Sequence, residues 1–149
     1  MRILAILAAC FVSSICYADS SVRISFVSGY RIGGPPTQAT IFVSRGMAAI
    51  SDANSVSAFD RYFAQIRGVL EAAHAPSVWA PAPAIHADKV RIEVALESRK
   101  YTLVVGYGDL GPEISLRPPP VDKRMLAVLK DILRLTNAFL VQQIENGGK

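Results

Sequence analysis

Three glycines in the last third of the chain have the spacing of a nucleotide-binding loop. Gly106, Gly108 and Gly111 follow the order G-x-G-x-x-G. In dinucleotide-binding folds such a loop leaves a strand and immediately opens a helix, whose N-terminal amides hold the pyrophosphate. Here Pro112 follows the third glycine, and the prolines at 118–120 stop any helix that begins there. We therefore interpret the glycines as a turn after a strand and predict no nucleotide cofactor.

Other side chains that could do chemistry are few and widely spaced. His74 and His86 bracket a proline-rich connector, and Asp88 follows closely, but this is not the ligand spacing of a zinc helix or finger. The motifs G-x-S-x-G, S-x-x-K and H-E-x-x-H do not occur. Glu93 and Glu97 are expected together on the solvent side of a strand, whereas paired carboxyl catalysis needs two acids facing one substrate. We predict no catalytic residue, no metal ligand and no cofactor, and hence no enzyme.

Residues 1–18 have the composition of a secretory signal peptide. A basic residue precedes about ten apolar ones, and Cys16 and Ala18 supply small residues where a signal peptidase tests them. The apolar run is too short to span a ~30 Å hydrocarbon core. We predict cleavage after Ala18, a periplasmic or secreted location, and one α+β domain over 19–149. The alternative, a lipoprotein modified at Cys10, has only about seven apolar residues before that cysteine, which is short for such a signal.

The composition of residues 19–149 indicates a domain held together by its own core. The segment contains no cysteine, so disulfides and thiolate metal sites are excluded from it. It carries fifteen basic and twelve acidic side chains, a net charge of +3, and its basic residues are scattered along the chain. Nucleic-acid-binding domains usually show a basic cluster, so we expect no nucleic-acid partner.

Periodicity predicts two strands and a helix in the first half of the domain. Apolar residues alternate over 22–28 and 39–45, with a glycine- and proline-rich segment between them, which is typical of a hairpin with a long loop. From Ser55, a plausible N-cap, apolar residues recur at steps of three and four for about five turns. Arg67 and Glu71 have the spacing to pair on the exposed side of this helix.

The second half repeats the order of strand, strand and helix. Prolines exclude a helix or central strand from the segment that follows the first helix, and a capped helix closes the chain. The predicted elements are an extended connector over 74–86 anchored by Trp79 and Ile85, strands over 88–98 and 100–105, and a helix from its cap at Asp122 to about Glu145, with Met125, Leu129, Ile132, Phe139 and Ile144 among its apolar positions. The expected fold is α+β in the order ββαββα, with a four-stranded antiparallel sheet and two helices packed on one face.

The predicted partner-binding residues lie in the loop of the first hairpin. An exposed aromatic residue beside an arginine, held by glycines on a rigid scaffold, is typical of a docking loop. The residues are Ser28, Gly29, Tyr30, Arg31, Ile32, Gly33 and Gly34. The alternative interpretation is an ordinary hairpin turn.

Several segments occur in an order that is similar to that of a known family. They are Ser28-Gly29, Gly33-Gly34, Trp79, the strand pair over 90–94 and 101–104, and a leucine-rich helix after Pro120. In this order the chain resembles the emfourin family of bacterial metalloprotease inhibitors, although its first hairpin loop and its 107–120 segment are longer. The resemblance implies a small protein that docks on another protein, and it places the docking edge at residues 28–34.

We therefore predict an exported, bacterial-type interaction module, similar to a protein inhibitor or an immunity protein, that docks on an unidentified protein such as a protease or toxin. No stable membrane span is expected. Two alternatives remain from other functional classes. One is a small periplasmic ligand-binding domain with its site between the sheet and the 118–120 loop. The other is a structural protein of the cell envelope.

Overall fold

The computed structural model describes residues 19–27, 38–48, 52–80, 89–106 and 122–147. Their elements confirm the α+β class with two long helices. In chain order they are β1 (Ser21–Val27), β2 (Gln38–Ser44), a short 3₁₀ helix (Arg45–Met47), α1 (Ala53–Ala72), β3 (Val78–Trp79), β4 (Lys89–Leu96), β5 (Arg99–Gly106) and α2 (Lys123–Gly147).

The sheet has five strands in the order β2-β1-β4-β5-β3, and not the four that the sequence predicts. The two predicted hairpins, β1 with β2 and β4 with β5, are antiparallel, and β1 pairs with β4 to join them. The extra strand is β3, which runs parallel to β5, with Val78 opposite Thr102 and Trp79 opposite Leu103. Two residues are too few to show an alternating pattern. Their β-branched and aromatic side chains nevertheless suit an edge position close to the proline at 76.

One face of the sheet and both helices form a single apolar core. The alternation in β4 and β5 is confirmed, because Val90, Ile92 and Val94 are buried on the same side as Leu103 and Val105. Both helices turn their apolar sides to this face. The buried helix residues are Ala58, Phe59, Tyr62, Phe63, Ile66 and Leu70 of α1, and Met125, Val128, Leu129, Ile132, Thr136 and Phe139 of α2. The opposite face of the sheet, called the outer face below, carries the other half of each strand's side chains.

Helix α1 begins three residues earlier than its periodicity indicates. Asp52, and not Ser55, is the N-cap, because its Oδ1 accepts a hydrogen bond of 3.0 Å from the Asn54 amide. The polar first turn shows no apolar period, which is why the sequence places the start too late. At the other end the Ala75 amide donates to the Leu70 carbonyl and the His74 amide to the Glu71 carbonyl, the pattern of a Schellman motif.

Helix α2 begins where the sequence predicts and extends beyond the core. Asp122 Oδ1 accepts from the Arg124 amide at 2.9 Å, so the predicted cap is confirmed. Phe139 is buried, whereas Ile144 is 75% exposed although it is one of the apolar positions of the predicted helix. The last turns of this helix pass the edge of the core, so periodicity alone does not bury their apolar residues.

A buried hydroxyl pair joins the two helices. Tyr62 Oη lies 2.7 Å from Thr136 Oγ1, and that hydroxyl donates to the Ile132 carbonyl at 2.8 Å. Since the threonine proton is used in the second bond, the tyrosine must donate to the threonine oxygen. Burial raises the pKa of Tyr62 to about 12. The Tyr62 ring also stacks on Phe139 at 4.6 Å between centroids.

Asp19, the first described residue, is hydrogen-bonded to the end of β2 and the turn that follows it. The Asp19 carboxylate accepts hydrogen bonds from Ser44 Oγ at 2.6 Å and from the Gly46 amide at 2.8 Å. A Cβ atom on Gly46 would lie 2.9 Å from Asp19 Oδ2. Glycine at this position therefore permits the close approach of the carboxylate.

Candidate docking surface

The predicted docking loop attaches to one end of the sheet. Its residues 28–34 lie outside the described residues. They are flanked by Val27, which ends β1, and Gln38, which begins β2, and these two residues are register partners. The same row of the sheet contains Lys89, which pairs with Val27, and Gly106, which pairs with Lys89. The predicted loop and the glycine-rich segment after Gly106 thus join the sheet side by side.

The outer face of the sheet carries a row of interacting charged side chains. Arg23 on β1 lies opposite Phe42 on β2 and opposite Glu93 on β4. Its guanidinium carbon is 5.3 Å from the centre of the Phe42 ring, a cation–π contact, and Arg23 Nη1 is 4.0 Å from Glu93 Oε2. Arg91 approaches the same carboxylate more closely, with Nη2 2.8 Å from Glu93 Oε1. One acid is therefore shared by two half-exposed arginines.

This outer face holds the net charge of the described residues. Those residues include twelve basic and nine acidic side chains, a net charge of +3. Four of the basic residues, Arg23, Lys89, Arg91 and Lys100, project from the outer face with one acid, Glu93. The face alone therefore has a net charge of +3, and the remaining described residues balance at eight basic and eight acidic. The sequence shows scattered charges, and the pairing of strands brings them together.

The edge strand β2 beside this face is uncharged. Strand β2 contains no ionisable residue, and its Phe42 is 46% exposed. At the opposite edge Val78 is 68% exposed, but β3 is only two residues long. Large exposed apolar residues beside arginines are characteristic of the anchors of protein interfaces.

Sequence reasoning did not find the outer face, although a signal for it exists. The tripeptide Val-Arg-Ile occurs at 22–24 and again at 90–92. Each copy buries its two apolar residues and leaves the arginine on the outer face. Two copies in strands that become neighbours must place both arginines on the same side of the sheet. The pairing of β1 with β4 was the missing information.

A polar recess of about 270 Å³ lies between α1 and the turn that joins β4 to β5. Arg67 Nη2 bonds to Glu97 Oε1 at 2.7 Å, so the predicted pair with Glu71 is wrong. Glu97 lies in the turn with a φ of 51°, and so it does not share the strand face of Glu93 as expected. A hydrogen bond to Tyr101, with further electrostatic effects of that residue and Glu71, raises the pKa of Arg99. Two arginines and two glutamates thus compensate one another here.

The other candidate chemistries of the sequence have little support in the described residues. His74 is exposed at the end of α1, whereas His86 and Asp88 lie outside the described residues. Within the described ranges no three His, Cys, Asp or Glu side chains are placed to hold a metal ion. Gly106 ends β5, and Gly108 and Gly111 lie outside the described residues. Neither α1 nor α2 is apolar enough along its length to cross a membrane, and the search covered only the described residues.

Comparison with known proteins found no matching protein family, no similar curated protein and no similar solved structure. The resemblance to emfourins stays a prediction from the order of elements. The case for a function therefore depends on the geometry and charge of this chain.

Proposed function

We propose that the protein is an exported interaction module that acts by docking on a partner protein, in the manner of an inhibitor or an immunity protein. The observation that carries the proposal is the concentration of the net charge, +3, on the outer face of the sheet, while the other described residues are neutral in sum. A charged face beside an exposed phenylalanine offers electrostatic attraction and an apolar anchor on one surface.

Two further features support docking. The segment that contains the predicted loop joins Val27 to Gln38, and these two residues lie in the same row of the sheet as Lys89. Binding segments are often loops held at one end of a rigid sheet. The order of elements that resembles the emfourins agrees with this placement, because it assigns the docking edge to the same loop.

Export is part of the proposal and has its own test. A cut after Ala18 leaves Asp19 as the first residue, with the side chain that is bonded to Ser44 and Gly46. We expect protein recovered from the periplasm or the medium of the producing cells to have the intact mass of residues 19–149. A mass that includes residues 1–18, in protein recovered only from the cytoplasm, would remove export from the proposal.

The docking role is tested by capture followed by reconstitution. The processed protein is immobilised, a captured protein is identified and purified, and complex formation is measured by calorimetry with both pure components. We expect a complex of defined stoichiometry that is weakened by the Tyr30→Ala, Arg31→Ala double variant. Arg134→Ala, an exposed substitution on α2, is the matched control and should bind like the parent. If none of the captured proteins forms a complex with the processed protein when both are pure, the docking function is contradicted.

A further inference from the structure

Among the described residues, β2 is the longer of the two edge strands of the sheet. This strand has seven residues, and in the described sheet it pairs only with β1. Natural proteins usually protect such an edge with charges, prolines, bulges or a covering element. Residues Gln38–Ser44 contain no charge and no proline, and both Thr40 and Phe42 are exposed. An edge of this kind can accept an additional strand through backbone hydrogen bonds.

The charges beside this edge favour an incoming strand that carries negative charge. A strand added to β2 would lie about 4.8 Å beyond it, with alternate side chains on the outer face. Arg23 lies on β1, the strand next to β2, and its guanidinium carbon is 5.3 Å from the centre of the Phe42 ring. Its contact with Glu93 is long, 4.0 Å, whereas Arg91 holds that carboxylate at 2.8 Å. Arg23 is therefore the arginine best placed to meet a carboxylate on the added strand.

We propose that β2 and the adjoining outer face bind an extended acidic segment of the partner protein, which adds to the sheet as a sixth strand and directs its carboxylates toward Arg23. This inference rests on the proposed docking function and specifies the partner's chemistry. The outer-face charges nearest this edge are Arg23 on β1 and Lys89, Arg91 and Glu93 on β4, a net charge of +2, and they supply the complementarity. A nucleic acid fits less well, because single strands need several stacking aromatics, and the described outer face offers only Phe42.

The proposal is tested with synthetic peptides, so it does not require that the partner be known. The main probe is a fluorescent peptide of about eight residues, the length of a long strand, in which glutamate alternates with valine. One comparison peptide replaces the glutamates with lysines. A second has the same composition with its glutamates grouped together, so that its charge is equal but its alternation is lost. Binding to the processed protein is followed by fluorescence anisotropy, and a single-stranded oligothymidylate and phosphatidylglycerol vesicles are measured in parallel.

We expect the alternating acidic peptide to bind, the lysine peptide not to bind, and the grouped peptide to bind more weakly. Arg23→Gln should weaken binding roughly two- to fivefold, the range for one exposed ion pair, and added salt should reduce this difference. Arg134→Gln, which removes a more exposed arginine from α2, should leave binding unchanged. On binding, amide hydrogen exchange should slow within residues 38–44 and not along α2.

Four results would overturn the proposal. They are absence of binding by the alternating acidic peptide, equal binding of the lysine peptide, binding without slower exchange in residues 38–44, and binding of only the oligothymidylate or the vesicles. Because the parent protein is used with peptides of opposite charge, the conclusion does not depend on the folding of any variant. If a purified partner forms a complex that is insensitive to Arg23→Gln and leaves exchange in β2 unchanged, the docking function stands and this site is wrong.

Discussion

The buried hydroxyl pair between the two helices gives a quantitative test of the core. Tyr62 is only 2% exposed. Thr136→Val removes the acceptor of the Tyr62 hydroxyl and leaves that buried donor without its partner. An unsatisfied buried hydrogen-bonding group costs about 1–3 kcal/mol. Tyr62→Phe removes the donor instead, and Thr136 keeps its bond to the Ile132 carbonyl. This change should cost about 0.5–1.5 kcal/mol, the net contribution of one hydrogen bond.

The double variant separates the hydrogen bond from the rest of the packing. With both hydroxyls removed, neither side chain leaves a buried donor, so the double change should cost at least about 0.5 kcal/mol less than the sum of the single changes. The measurement is urea unfolding followed by circular dichroism, with equal slopes required before the free energies of unfolding are compared. Thr102→Val, the same substitution on the outer face of β5, is the control and should stay within about 0.5 kcal/mol of the parent.

Two outcomes would refute this reasoning about the pair. If the single effects add, Tyr62 and Thr136 do not share a hydrogen bond that matters for stability. If Tyr62→Phe costs more than Thr136→Val, an unsatisfied Tyr62 hydroxyl is not the larger penalty, and the reasoning about the buried donor is wrong.

Three other predictions follow from particular contacts. The folded-state pKa of Tyr62 is raised from 10.0 to about 12, so its contribution to stability is complete below pH 10 and is lost as the pH rises to about 12. Tyr62→Phe should therefore reduce the fall in the free energy of unfolding between pH 10 and pH 12, measured by unfolding at several pH values. His74 has a φ of 50° at the end of α1, and His74→Gly should raise the free energy of unfolding by about 0.5–1 kcal/mol, whereas an unchanged or lower value would show that the backbone there is not strained. Gly46→Ala should lower the free energy of unfolding by about 1–2 kcal/mol, because the new methyl group displaces the Asp19 carboxylate. Gly68→Ala, whose methyl group meets no atom within 4 Å, should raise it by up to about 1 kcal/mol. Equal effects of the two substitutions in thermal unfolding would contradict the close contact at Gly46.

Local patterns in the sequence predict most of the secondary structure and one side of the sheet. The alternation of Val90, Ile92 and Val94 determines which face is buried, because successive side chains of a strand point to opposite faces wherever that strand lies. The steps of three and four between Phe59, Phe63 and Ile66 likewise define the buried side of α1. These patterns depend on the geometry of one element, so they can be read without knowing its neighbours.

The candidate site could be predicted only in part. The sequence indicates an exposed loop at 28–34, which lies outside the described residues. It gives no indication that β2 is the longer edge strand of the described sheet. It also shows Arg67 within reach of Glu71, while the fold offers Glu97 at the β4–β5 turn as a closer partner. Such choices depend on which elements pack together, and side-chain spacing along one helix does not contain that information.

The sequence by itself determined the α+β class, the two hairpins, both helices and the buried face of the strands, since each follows from short-range periodicity, capping and turn residues. Only the tertiary structure decided the strand order β2-β1-β4-β5-β3, the parallel edge strand at Val78–Trp79, and the meeting of Arg23, Phe42, Glu93 and Arg91 on the outer face. Residues 23 and 91 belong to separate hairpins, and they become neighbours only because β1 pairs with β4. Burying the apolar faces of both hairpins against the same two helices requires one sheet, and that long-range requirement creates the charged surface.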